Sequence, residues 1–295
     1  MKRRRYIGID LHDGNMRIAG MHRRWRKGAQ LFASRIENMP KDMTLESLKQ
    51  ASPEAEQVFV NSLHKLLLPI ASKERRLALS LPDRCGYVMT MDVAGFTRSR
   101  KESREVVAWQ LRKLLPGIAD LHFDYQVLKR TGGGKAHLLV VAMEKQALDR
   151  YETLFQKAGF ILHTVGFFGL NIYRHWRYRL DPEGDAILLA MNEDGIIVQT
   201  YRDSVLSYYR AGAVGSRISH QLQELHRIVA GCAQDFSPRN RARVFLHADR
   251  PVDETTLDAL NDCFGRKVLL LTGHGHISPA LAAAQGAAER MMMGG

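Results

Sequence analysis

The stretch YIGIDLHDGNMRIAG, Tyr6 to Gly20, concentrates residue types that can meet phosphate and a hard cation. Ile7 and Ile9 alternate toward a strand end at Asp10, His12 to Asn15 read as a polar turn, and a second strand follows. A carboxylate at such a strand end can hold Mg2+ or its waters, because a hard cation takes oxygen ligands. Backbone N–H groups of the turn can meet a phosphate where side chains are small. Gly14 and Asn15 supply flexible backbone, but His12 stands at the close-approach position and Asp13 puts negative charge where the anion would sit. Like charges a few ångström apart cost on the order of 1 kcal/mol even at water's dielectric constant. An open alternative makes Asp10 a turn-capping aspartate satisfied by backbone N–H groups.

Periodicity outlines the elements that position these residues. Three strands, near 6–10, 16–22 and 29–36, precede a helix over 54–71 whose Val58, Leu63, Leu66, Leu67 and Ile70 recur at helical spacing. RLALSLP and YVMTMDV alternate as strands. The helix 101–117 carries Val106, Val107, Trp109, Leu111 and Leu114 as its apolar set, expected to face a core, and ends at Pro116 and Gly117. A hairpin with Phe123, Tyr125 and Val127 before its tip, a helix over 146–158 and the strand FILHTVGF complete a small α+β block. The last third repeats the opening theme: three strands in AILLAMNEDGIIVQTYRDSVLSYYRAGAVG, a helix over 219–232, a strand in RVFLHAD, a helix over 254–264, the strand VLLL and a terminal helix.

Other motifs dissolve on inspection. TGGGKA lacks the spacing and the following helix of a phosphate loop and reads as a hairpin tip. The His274 and His276 pair lacks a third ligand, and Cys85, Cys232 and Cys263 are too dispersed for a metal site or a disulfide framework, which points to a reducing cytoplasm. No G-x-S-x-G or H-E-x-x-H pattern supports hydrolysis. Lys and Arg number 43 against 31 Asp and Glu, a net charge of +12, which calls for an acidic partner or surface. The basic clusters are short and scattered, so nucleic acid is disfavoured. No apolar run is long enough to span a membrane.

Taken in order, YIGIDL, LALSLPD, AWQLRKLLPG followed by HFDYQVL, LLVVAMEKQALDRYETLFQKAGF, RDSVLSYYR and SPALAAAQGAA resemble the PilM family of type IV pilus assembly, including its divergent MshI- and HofM-type members. The resemblance covers nearly the whole chain. It implies an α/β, actin-like (FtsA/PilM-type) bilobed fold of two β-β-β-α-β-α lobes with a small inserted α+β subdomain. The expected division is 1–86 completed by 278–293, an insertion at 87–166, and a second lobe at 167–277. The family implies a cytoplasmic scaffold, peripheral at the inner membrane, that binds the N-terminal tail of a PilN-like protein and couples it to the pilus motor ATPases. The tail groove is expected beside the insertion, near Tyr87, Met89, Phe123 and Tyr125, with Arg98, Arg100, Lys101 and Arg104 facing an acidic partner or anionic lipid.

Set against the family's nucleotide site, the first turn keeps Asp10 but not the small residues. The second falls on Ala190, Met191 and Asn192, ahead of Asp194 and Gly195, and lacks its carboxylate. The third, LHADRP, has His247, Ala248 and Asp249 in place of glycines. The expectation is a degenerate ATP site, no catalytic residue, no metal and no cofactor, ATP and Mg2+ being disfavoured. The rivals are an active ATPase of the same machinery, a GspL-like type II secretion component and a basic nucleic-acid-binding protein.

Overall fold

A computed structural model describes residues 4–12, 14–24, 28–39, 52–118, 120–180, 184–231, 242–273 and 277–294. The first lobe opens with strands β1 (Arg5–His12), β2 (Asn15–Arg24) and β3 (Gly28–Asn38), helix α1 (Pro53–Ala71) and β4 (Arg76–Leu81). Strand β5 (Tyr87–Ala94), α2 (Arg100–Leu114), β6 (Leu121–Thr131) and β7 (Lys135–Glu144) then leave the lobe, and α3 (Lys145–Lys157) and β8 (Ile161–Phe167) return to it. Helix α4 (Phe168–Trp176) leads to the second lobe: β9 (Ala186–Met191), β10 (Ile196–Arg202), β11 (Val205–Gly212), α5 (Ile218–Gly231), β12 (Arg243–Ala248), α6 (Glu254–Phe264) and β13 (Val268–Leu270). A 3-10 turn at Pro279–Leu281 runs into α7 (Ala282–Met292).

The two large sheets share one plan. Their strand orders are β3-β2-β1-β4-β8 and β11-β10-β9-β12-β13, antiparallel in the first three strands and parallel in the last three. The third sheet, β5-β7-β6, is antiparallel. Strand α+β grouping read from the sequence needs correction here: β8 pairs in parallel with β4, and Leu148, Tyr151, Leu154 and Phe155 of α3 lie in the first lobe's core with Ile7, Ile9 and Leu11. The inserted unit is therefore β5, α2, β6 and β7. Helix α4, which the sequence reading left unassigned, buries Phe168, Ile172 and Trp176 in the second lobe.

Strand β1 is buried on both faces. Its odd residues, Ile7, Ile9 and Leu11, pack toward α1, whose Phe59, Leu63 and Leu67 share their cluster. Its even residues, Gly8, Asp10 and His12, share the opposite face, since side chains alternate along a strand. There Gly8 lets α7 approach so closely that a Cβ would stand 1.9 Å from the carbonyl oxygen of Ala284. Local sequence sets the helix ends: Ser52 caps α1 by accepting from the Ala55 N–H at 3.3 Å, and Gly265 closes α6 at φ +60°. On α2, Ser103, Val107 and Leu111 are the buried residues, whereas Trp109 and Leu114 are 48% and 56% exposed, contrary to the core role expected for both. Trp109 lies two residues, about 200° of helix, from Val107, and Lys113 Nζ stands 3.5 Å over its ring.

Candidate functional site

The even face of β1 meets the second lobe through three hairpin and strand ends. Strands β1 and β2 pair down to His12 opposite Asn15, so Gly14, at φ +83°, belongs to a two-residue loop. Asp13, its other member, lies outside the described residues. Register places Arg17 directly opposite Asp10, so both side chains share one face. The β9–β10 connection supplies Asn192, Asp194 and Gly195, and Asp249 follows β12.

Asn192 organises its own turn: its Oδ1 accepts from the N–H groups of Asp194 (2.9 Å) and Gly195 (3.0 Å). That fixes its amide nitrogen toward His12 Nε2, 3.2 Å away. The imidazole Nε2 therefore accepts, and Nδ1 lies 3.0 Å from Asp10 Oδ2 without an aligned hydrogen bond. Asp194 Oδ2 is 3.7 Å from the same Nε2, and Arg84 of the first lobe pairs with Asp194 Oδ1. Gln221 of α5 donates to the carbonyl oxygens of Asn192 (2.8 Å) and Gly215 (2.7 Å), holding the turn to its own lobe.

A second bridge crosses beside the first. Arg17 Nη1 lies 3.5 Å from Asp10 Oδ2 and pairs closely with Asp249 Oδ2. Asp249 Oδ1 lies 2.9 Å from His247 Nε2, and Trp176 Nε1 donates to His247 Nδ1 at 3.2 Å. With Nδ1 accepting, His247 Nε2 is the donor to Asp249. Asp10, His12, Arg17, Asn192 and His247 are all buried. Burial opposes ionisation of Asp249, but the His247 hydrogen bond and the Arg17 charge outweigh it and hold its carboxyl below the usual range. Phe168 edges onto the His12 ring at 4.9 Å between centroids.

Below this network lies Asp83, which the sequence reading missed. It accepts from the Gly169 N–H at 3.0 Å and from the Tyr209 hydroxyl, tying the first lobe to α4 and β11. Burial pushes its carboxyl up to about 6, against the opposing pull of these hydrogen bonds. Arg17, Arg84 and Trp176 were missed as well. Arg17 had a signal in the sequence: a two-residue Asp-Gly loop sets the register that pairs it with Asp10. Among the described residues no group of three His, Cys, Asp or Glu side chains is placed to hold a metal ion.

The residues expected to face a partner tail divide. Tyr87 and Met89 pack with buried Phe123 on the α2 side of the small sheet. Arg98, Arg100 and Arg104, with Tyr125, line a hollow of about 250 Å3 on that side, and Lys101 is exposed at the start of α2. Tyr125 also borders a larger groove of about 720 Å3, where the insertion faces α4, α7 and the β10–β11 turn. Leu139 and Val141 line that groove from the other face of the small sheet. The hairpin tip Gly132–Gly134 is a turn between β6 and β7. His274 and His276, and Cys232, lie outside the described residues.

No family model matches the chain, and no curated protein matches it in sequence. Among solved structures, 98% of the chain superposes on 99% of a chain of a PilM-PilN type IV pilus biogenesis complex, with a TM-score of 0.80 at 15% identity. A Bacteroides thetaiotaomicron protein of actin-like ATPase fold matches with a TM-score of 0.55 at 9% identity, over 91% of each chain. The ethanolamine utilization protein EutJ from Carboxydothermus hydrogenoformans matches at 0.52 and 10% identity, over 98% of this chain and 90% of its own. The fold is actin-like: two mixed sheets of one plan, plus the small antiparallel sheet. Among the described residues no helix is long and apolar enough to cross a membrane.

Proposed function

We propose that this chain is a PilM-like scaffold of type IV or MSHA-type pilus assembly, which holds the cytoplasmic tail of a PilN-like inner-membrane protein and does not turn over ATP. The observation that carries the reading is the end-to-end likeness, insertion included, to a chain of the PilM-PilN complex. A scaffold needs a rigid body with a recess for its partner, and the 720 Å3 groove beside the insertion supplies one.

The loss of turnover rests on the cleft. A triphosphate in an actin-like site lies between the two hairpin turns, where backbone N–H groups and small residues receive it. In this chain His12 and Asn192 touch across that gap, and Asp10, Asp194 and Asp249 present negative charge to it. Asn192 spends its side-chain oxygen on the very N–H groups, of Asp194 and Gly195, that would serve an anion. These residues do not fit Mg-ATP.

Two measurements test the reading. A labelled peptide of the PilN-like tail from the same genome should bind the chain saturably; absence of binding, with no co-purification from membranes, removes the scaffold. Isothermal titration with Mg-ATP should give no binding heat. A micromolar Kd that Asp10→Ala abolishes would overturn the second half.

A further inference from the structure

The large groove has two properties that together specify its occupant. The first is an open strand edge. In the order β5-β7-β6, β6 is terminal. Asp124, Tyr125, Gln126, Val127 and Leu128, five consecutive residues of β6, line the groove. Faces of a strand alternate, so consecutive lining residues mean that the groove runs along the strand's edge, where backbone N–H and C=O groups point away from β7. The Phe123 C=O accepts from Arg104 at 3.0 Å and the Tyr125 N–H donates to Asp124 Oδ1 at 2.9 Å, so an incoming strand displaces that Asp124 contact and meets the edge beyond it. A register shift between Val127 and Lys129 ends the regular stretch at the far side.

The second property is an excess of positive charge. Arg174, Arg177 and Arg290 line the groove, and Asp124 is the carboxylate among its described lining residues. Arg177 lies 3.9 Å from Glu289. Neither the Arg174 nor the Arg290 guanidinium has a hydrogen bond or a close ion pair among the described residues, the Glu289 charge acting on Arg174 only at longer range, and Arg174 Nε is buried without a partner. Burial and, for Arg174, the neighbouring Arg177 lower both pKa values, and the charge that acts against this on Arg290 is Asp124. A partly buried guanidinium without a counter-ion is unfavourable, and an incoming carboxylate relieves it through a charge-assisted, planar pair.

The geometry points to an extended peptide segment bearing an aspartate or glutamate as the occupant, added as a further strand along β6 at Asp124–Val127, with its carboxylate between Arg174 and Arg290. Main-chain hydrogen bonds to the β6 edge supply affinity, and the arginines supply selectivity. The inference rests on the scaffold reading only in requiring a partner segment. It adds the segment's conformation and charge.

Short random peptides displayed on phage and selected on the full chain test it. The expected winners carry one acidic residue in an alternating apolar sequence. Replacing that acid by its amide should weaken binding about tenfold on the native chain, as one charge-assisted pair is lost, and have little effect on Arg290→Gln. Asp124→Asn, at an exposed position that does not threaten folding, should tighten the acidic peptide severalfold, and methylating alternate peptide amides should abolish binding. Winners without acidic preference, equal binding to Arg290→Gln, unchanged affinity in Asp124→Asn, or no winners at all would each overturn it. The PilN-like tail separates the two readings. Equal tail binding by the native chain and Arg290→Gln sinks the inference and spares the scaffold. Acidic peptides that bind where no tail does sink the scaffold and spare the inference.

Discussion

Arg17 sits between Asp10 of its own lobe and Asp249 of the other, all three buried. Taking these charges out of water is costly, and their attraction roughly offsets that cost. The pair therefore adds little net stability, yet removing its centre leaves two buried carboxylates facing one another. Arg17→Ala should lose about 3–5 kcal/mol in urea titration. The double variant Arg17→Met with Asp249→Leu should lie much nearer the native chain, because an apolar replacement removes the desolvation cost together with the attraction. Asp83 adds a pH dependence of definite sign. Its folded pKa, about 6, exceeds the ordinary aspartate value of 3.8, so between these values the folded state holds a proton that the unfolded chain has released. Stability from this group thus falls as pH rises through that window and stays reduced above it. Asp83→Asn keeps an oxygen acceptor and has no charge to bury, so its stability relative to the native chain should improve from pH about 4 to pH about 7 in parallel urea titrations. A constant difference across that range would reject the assignment.

Helix α7 is the element on which both lobes depend. It lies on β1 at Gly8 and on α4 at Gly286, where a Cβ would stand 1.9 Å from the Asn171 carbonyl oxygen. Both obstacles are backbone, so a methyl group must push the helix rather than rotate a side chain. Gly8→Ala and Gly286→Ala should each cost roughly 1–3 kcal/mol and speed amide exchange along α7. Gly117→Ala, with nothing within 4 Å of its would-be Cβ, is the control and should be close to neutral. Helix α2 teaches the converse lesson. Its three buried positions, Ser103, Val107 and Leu111, are four residues apart, and the small hydroxyl of Ser103 is accepted in the row because it bonds the Thr97 carbonyl oxygen at 3.0 Å.

Across the whole molecule, the two lobes are tied at three levels: the His12–Asn192 and Arg17–Asp249 bridges, the Asp83–Tyr209 and Asp83–Gly169 bonds, and the α4–α7 contact. On the function proposed above, a nucleotide entering the cleft has to break the first level. The expected result is that saturating Mg-ATP leaves Tm unchanged. A ligand at about a hundred times its Kd would contribute about 2.7 kcal/mol, an increase that thermal denaturation detects readily. Such an increase would refute the closed cleft as the resting state.

The alternating and helical periodicities by themselves determined the element order apart from α4, because a half-buried strand and an amphipathic helix each impose a repeat on the chain that carries them. His12 and Asp13 after Asp10, Ala190 where a carboxylate was sought and the glycine-poor LHADRP set these turns apart, in the sequence, from turns of small residues that receive phosphate. Only the tertiary structure decided what fills the cleft and where the groove lies. Asp10, Asn192 and Asp249 come from segments far apart in the chain, and which side chains meet depends on the lobes' relative placement, which no local repeat records. The same holds for α3 and β8, whose sequence fits either the insertion or the first lobe until β4 offers its edge, and for Trp109, whose apolar character matches a core that its position around α2 turns it away from.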